Sequence, residues 1–411
     1  MSPSKLAWLL VWSAAAAVPV QAAPLTFDQA LARAAETAPG LKSATLKADA
    51  TRSSGRAAGS LPDPKLSLGL DNVPISGPMA GRFADDEMTM ASVGVMQDVP
   101  SGAARRAEAG RARAEVGVAD AQALAAARDV RLATALAWVD LYYARARLAA
   151  LEDIEAALRP VLDASPAAVA QGARPAETVD PAEWLVALAD RRSALQADVA
   201  RARAALVRWT GDSDADVNGA PPAWVVDPVV LRAGLDRHPS LMVLDAGVRL
   251  ADADVDSARA ARSSDWSWEL AYQKRDDRFG DMVSARVTLS LPIRQAQRQG
   301  RLVEARGADA TRARADREAA RRELLAALET DLADHRMHHE VWMRARDSRL
   351  PLAQRRADLE TASYGAGSTG LPAVLTAFTG LADARLDVLD KEAATMRDAV
   401  RINITYGTDA P

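Results

Sequence analysis

The chain has 411 residues, no cysteine, 4% aromatic residues and a formal net charge of −4. That balance excludes a strongly basic nucleic-acid binder, and the absence of cysteine excludes disulfides and a lipid anchor on an N-terminal cysteine. Scarce aromatics with abundant alanine and arginine favour long helices packed through small side chains over a bulky globular core.

After Lys5, the stretch from Leu6 to Val18 is apolar, and Val20-Gln21-Ala22 closes it with small residues. This is the pattern of a secretory signal peptide over residues 1–22, and it implies export. No later segment approaches the roughly 18 uninterrupted apolar residues of a membrane-spanning helix.

The remainder is duplicated. Leu31, Pro39, Leu41, Ala58 and Leu70 recur 200 residues later as Leu231, Pro239, Leu241, Ala258 and Leu270. Two repeats are expected, over residues 23–220 and 221–411, each a short helix, two strands and a long helical hairpin. Thr26-Phe27-Asp28 and Asp227-Pro228 read as helix starts, with interruptions at Pro39 and Pro239. Leu61-Pro62-Asp63-Pro64 breaks the first of these helices.

Four strands are expected, at residues 66–71, 88–95, 266–273 and 283–291, with one face apolar and the other polar. Period-two alternation over about ten residues is what a membrane barrel requires. It serves two soluble hairpins with one buried face equally well. The leader and the adjoining helices favour the membrane. Long helices are expected from Ala103 to about Arg159 and from Arg298 to about Leu359. Nearly 60 residues at about 1.5 Å each makes rods of roughly 90 Å. Each reverses at a tip, Gln171 to Pro175 or Tyr364 to Gly370, before a return helix, Glu177 to Trp209 or Pro372 to Ile402.

Four strands cannot close a barrel, and an open sheet would leave unpaired edges in lipid. Membrane strands therefore require oligomerisation, and three copies give about 12 strands, within the known range. On the membrane reading, the expected fold class is mainly α with a membrane β-barrel: an internally duplicated protomer that trimerises into a 12-stranded barrel on a long α-helical coiled-coil barrel.

This layout resembles the TolC-like outer membrane factor family. The likeness rests on the duplication, on Val93-Gly94-Val95-Met96-Gln97-Asp98-Val99-Pro100 leading into an arginine-rich helix, and on Tyr364-x-x-Gly367 followed by Val374-Leu375-x-Ala377. Leu61-Pro62-Asp63-Pro64-Lys65-Leu66 and Asp71-Asn72-Val73-Pro74 are similar to its heavy-metal efflux branch, which Met79, Met88, Met90 and Met96 also suit. The resemblance implies a homotrimeric exit duct in the outer membrane, extending into the periplasm. It would work with a periplasmic adaptor (a membrane fusion protein) and an inner-membrane pump of the resistance-nodulation-division (RND) class. Cargo would be copper or silver, or else zinc, cobalt or cadmium. Drug efflux or type I secretion through the same fold is the nearest alternative. A soluble periplasmic coiled-coil scaffold is the rival from another class.

The resemblance also implies site residues. The pore constriction falls where the return helices begin, at Glu177 and Asp180 in the first repeat and Thr376 in the second. The second tip carries Pro372, Ala373 and Thr376 where well-known members carry aspartates. Gly172, Arg174, Gly367 and Ser368 mark the tips as adaptor contacts, although glycine also serves there simply to reverse the chain. His335, His338 and His339 have spacing that suits a metal ion, but no acid-base residue of a metalloprotease pattern accompanies them and a solvated helix face accounts for them more simply. Trp266, Trp268 and Tyr272 suit an interfacial aromatic belt, and Trp138, Tyr142 and Tyr143 suit packing between helices. No cofactor is expected. An enzyme is not expected either, since no Gly-rich phosphate loop or G-x-S-x-G turn is present.

Overall fold

In a computed structural model, the protein is described over residues 24–82, 86–170 and 179–407. The expected leader at 1–22 lies outside these residues, as do Gly172, Arg174 and Glu177.

Helix α1 (Phe27–Thr37) begins with a capping box. Gln29 N–H donates to Thr26 Oγ1 at 3.3 Å, and Thr26 N–H donates to Gln29 Oε1 at 2.9 Å. Together these satisfy two otherwise orphaned donors. Ala38 adopts an extended conformation and α2 (Pro39–Ala57) starts on proline, so Pro39 ends one helix and opens the next. Strands β1 (Lys65–Asp71) and β2 (Met90–Val99) lead into α3 (Gly102–Ala170) and α4 (Asp180–Thr210).

The second half repeats this order. Helix α5 (Pro228–Gly234) is capped by Asp227 Oδ1, which accepts from Val229 N–H at 2.8 Å and Val230 N–H at 3.3 Å. A 3₁₀ turn (Leu235–Arg237) and α6 (Pro239–Ala260) follow, then β3 (Trp266–Lys274) and β4 (Met282–Leu289). The last long hairpin is α7 (Gln299–Arg344), a π turn (Ala345–Arg349), α8 (Leu350–Gly365) and α9 (Leu371–Tyr406).

Two expectations need correction. The first rod continues well past Arg159, and at 69 residues spans about 100 Å. The second is divided by the π turn, which lies immediately before Pro351. Proline has no N–H for the i→i−4 ladder and crowds the preceding turn, so the helix widens there.

The strands form one antiparallel sheet in the order β1-β2-β3-β4. The central β2–β3 pairing joins the two halves, with Val99 opposite Trp266 and Val95 opposite Leu270. Below it, α3 packs against α2, α4, α6 and α9, and α7 packs against α6 and α9. Trp138 in α3 is fully buried, sits edge-on to Phe27 at 5.5 Å and donates its indole N–H to Leu25 O at 2.9 Å. This cluster, with Leu206 and Val400, ties α1, α3, α4 and α9 together. Leu231, Leu235, Leu328, Leu332 and Ile402 form its counterpart in the second half.

Matching helix pairs in the two halves carry reversed charges. Arg52 of α2 pairs with Asp120 of α3 at 2.8 Å. Asp252 of α6 pairs with Arg314 of α7 at 2.5 Å.

Candidate functional site

The sheet presents two chemically opposite faces. On one, Leu66, Val95, Leu270 and Ala285 lie in a row across all four strands, as do Leu68, Val93, Tyr272 and Val283. This face is uncovered: Leu68 is 75% exposed and Val287 70%. Leaving such side chains in water forfeits about 1.5–3 kcal/mol each, so an apolar phase or partner is implied. On the other face, Lys65, Met96, Glu269 and Arg286 form a row, followed by Ser67, Gly94, Ala271 and Ser284. Lys65 pairs with Asp98 at 2.7 Å and Arg286 with Glu269 at 3.3 Å. Met90 and Met96 belong to this polar face by the same alternation.

Sheet dimensions fit a bilayer. Nine residues in β3 extend about 30 Å, and a tilt near 40° gives a rise of about 23 Å. A barrel's apolar band is about 25 Å tall. Trp266 and Trp268 stand on the apolar face at its helix-proximal end, where an aromatic girdle belongs. Among the described residues, no helix is long and apolar enough to cross a membrane.

At the far end of the helices, the second tip is well defined. Gly367 adopts φ +70°, a left-handed conformation that glycine tolerates. Ser368 donates both its N–H and its hydroxyl to Ser363 O, each at 2.9 Å. Gly367 and Ser368 are exposed. Just above, Val374, Leu375 and Phe378 pack with Ile154 and Leu158, which fixes the start of α9 against α3.

Asp180 lies in the first turn of α4, half-buried, and Thr376 lies in the second turn of α9, exposed. The Thr376 hydroxyl donates back to Pro372 O at 2.8 Å. One turn further along each helix, the indole N–H of Trp184 donates to Thr379 Oγ1 at 3.0 Å. Arg191 then pairs with Asp383 at 2.5 Å. Sequence reasoning missed these two α4–α9 links, because partners nearly 200 residues apart leave no local signal.

The three clustered histidines are divided by the helix. His338 Nδ1 meets Asp398 Oδ2 of α9 at 2.6 Å, and Arg401 bridges Asp398 and Asp331 at 3.1 Å each. His335 and His339 instead face one another at 6.3 Å between ring centroids, with Trp342 beyond His339. Burial holds the His335 imidazole below its usual pKa. Among the described residues, no group of three or more His, Asp or Glu side chains could hold a metal ion. The expected three-histidine site is therefore not assembled.

The fourth histidine, which the sequence did not single out, is the most constrained. His238 is 5% exposed and caps α6. Its Nδ1 lies 3.2 Å from Ser240 N–H and its Nε2 lies 2.6 Å from the Arg128 guanidinium. A neutral ring has one lone pair to share between these donors, and protonation would remove it. Burial, then the Arg128 charge, push its pKa down to about 4.

No protein-family model matches the chain, and no curated protein sequence matches it. Solved structures do match, each over 93% of this chain. Structures of CusC, described in terms of folding and transmembrane channel formation, share 16% identity over 92% of that chain with a TM-score of 0.76. The CmeC outer membrane channel of Campylobacter jejuni shares 12% identity over 85% of its chain, TM-score 0.76. The outer membrane protein VceC of Vibrio cholerae shares 16% identity over 97% of its chain, TM-score 0.75. The chain has the fold of these outer membrane channels.

Proposed function

We propose that this protein is a passive exit duct of the outer membrane, three copies of which close a 12-stranded barrel continuous with a helical tube in the periplasm. One observation carries the reading: a four-stranded sheet with an exposed apolar face and two open edges is built directly onto helices of about 100 Å. Lipid covers the face and further copies cover the edges. The leader at 1–22 supplies export, and residues 23–220 and 221–411 supply two repeats per protomer. The duct performs no chemistry. Energy comes from an inner-membrane pump of the RND class, joined through a periplasmic adaptor that meets the tips around Gly172, Arg174, Gly367 and Ser368. Glu177, Asp180 and Thr376 line the constriction, where carboxylates raise the local cation concentration.

Heavy-metal cations are the proposed cargo. Support comes from the resemblance of Leu61–Leu66 and Asp71–Pro74 to the metal-efflux branch, and from the methionines of the first hairpin. Growth of a deletion strain across copper, silver, zinc, cobalt and cadmium, beside a drug panel, tests this. Sensitivity to one metal group, restored by the gene, is the expected result. Drug sensitivity alone would replace the cargo and keep the duct. Recovery of the protein in an osmotic-shock extract would favour the soluble scaffold instead.

A further inference from the structure

The two halves leave the sheet differently. Pro100 stands two residues before α3, whereas Pro292 stands seven before α7, and the additional residues, Ile293 to Arg298, form a turn with no counterpart in the first half. Gln297 N–H and Arg298 N–H both donate to Arg294 O at 3.1 Å, which closes the turn. Gln295 Nε2 donates to Arg262 O at 3.3 Å and ties it to the residues that follow α6. Arg262 lies four residues before Trp266, and Ile293 four residues after Leu289, the partner of Trp266 across the β3–β4 ladder. The turn and the end of α6 therefore meet at one level, just past the tryptophans of the apolar face.

At that level apolar and cationic groups are exposed side by side. Leu291 is 65% exposed and Ile293 87%, and with Leu289 they carry the apolar alternation of β4 beyond its end. Arg262, Arg294 and Arg298 are exposed, and among the described residues their side chains make no hydrogen bond or ion pair. The carboxylates nearest in sequence are engaged elsewhere. Asp265 Oδ1 accepts from Ser101 N–H at 2.7 Å, and Glu304 pairs with Arg301 at 2.8 Å. Three guanidiniums without a carboxylate partner favour an anion from outside the chain.

We infer that Arg262, Arg294 and Arg298 hold the phosphate of an anionic phospholipid in the leaflet on the helix side, with its acyl chains against Leu289, Leu291 and Ile293. This rests on the duct reading and adds a lipid class to it. A guanidinium matches phosphate oxygens with two parallel hydrogen bonds, and its apolar stem can lie along Leu or Ile while the charge reaches the headgroups. Cations of this kind belong beside interfacial tryptophans. The apolar residues favour a lipid over a free phosphate ion, which would leave Leu291 and Ile293 in water. The three charges favour an anionic headgroup over a zwitterionic one, whose own cation they repel.

The test titrates detergent-purified protein with phosphatidylglycerol, with phosphatidylcholine of the same acyl chains, or with inorganic phosphate, and follows the unfolding midpoint. Phosphatidylglycerol is expected to raise the midpoint at a concentration more than about tenfold below that needed of phosphatidylcholine. Inorganic phosphate should leave it unchanged. In Arg262→Gln/Arg294→Gln/Arg298→Gln this preference for phosphatidylglycerol should disappear. Arg355→Gln/Arg356→Gln, which removes two exposed charges from α8 instead, should keep it. Arg294→Gln with Arg298→Gln, expected to lose most of the preference, serves if the triple variant fails to assemble. An equal preference in the parent and the arginine variants overturns the inference, and so does a parent that responds to both lipids alike. Stabilisation by inorganic phosphate to the same extent would make this a site for a free anion and overturns the lipid. The duct reading survives each of these results. A protein that is monomeric and needs no detergent removes the reading and the inference together.

Discussion

Trp184 donates its indole N–H to the Thr379 hydroxyl at 3.0 Å, joining the start of α4 to α9 one turn from Asp180 and Thr376. Such a bond is worth about 1 kcal/mol net, roughly fivefold in an equilibrium between two tip arrangements. Trp184→Phe keeps the ring and removes the donor. In planar bilayers the variant is expected to spend more time in its higher-conductance state than the parent protein. Identical conductance histograms would show that this bond does not hold the tip.

Adjacent residues of β1 should respond oppositely to charge. Leu68 lies on the exposed apolar face and Ser67 on the polar face. In the proposed barrel, Leu68→Lys would place a charge in lipid at a cost of about 2–4 kcal/mol near the bilayer midplane. Ser67→Lys would face its lumen. Assembled, heat-modifiable protein in the outer-membrane fraction is expected to fall sharply for the first and stay near normal for the second. Equal yields would contradict the assignment of the two faces.

His238 should impose a pH dependence on stability. Its pKa is lowered to about 4 in the fold, against about 6.5 when unfolded. Between those values the unfolded chain binds more protons, so stability rises with pH across that window and levels off above it. His238→Asn keeps a capping acceptor for α6 and has no proton to bind. Thermal melts in detergent from pH 7 to pH 4 are expected to show a shallower decline for the variant.

Gly59 links α2 to the sheet with φ +78°, and an added Cβ would lie 2.7 Å from Arg105 O. Backbone atoms of α3 cannot swing aside as a side chain would. Gly59→Ala is expected to destabilise by about 1–3 kcal/mol through strain and crowding. A lowered unfolding midpoint in guanidinium would show it.

Local rules made much of this fold legible. The capping groups at Thr26 and Asp227, the breaks at Pro39 and Pro239, and the alternation from Trp266 to Tyr272 each depend on neighbours a few residues away, and the structure has them where the pattern placed them. The π turn was missed although Pro351 was in plain view, because a proline inside a long helical pattern can kink, widen or end it. The histidines were open to a metal-ion and a solvated-face reading by spacing alone, and spacing could not show that His338 would turn to Asp398 of α9, since a helix rotates successive residues by about 100°. The Trp184–Thr379 and Arg191–Asp383 links depend on which helices become neighbours, and no spacing rule conveys that.

The reversed charges of Arg52–Asp120 and Asp252–Arg314 bear on how a duplicated chain avoids confusing its own halves. Once both halves have emerged during synthesis, α3 could be offered either α2 or α6 as the helix that packs at Asp120. Arg52 is attracted to that carboxylate and Asp252 is repelled by it. At Arg314 the preference is the opposite, so at these two positions each hairpin favours its own strand-leading helix, while α6 still packs along α3 elsewhere through Arg111–Asp254 at 2.7 Å. The charge sign works as an address label that two otherwise similar halves need in order to fold in the right order.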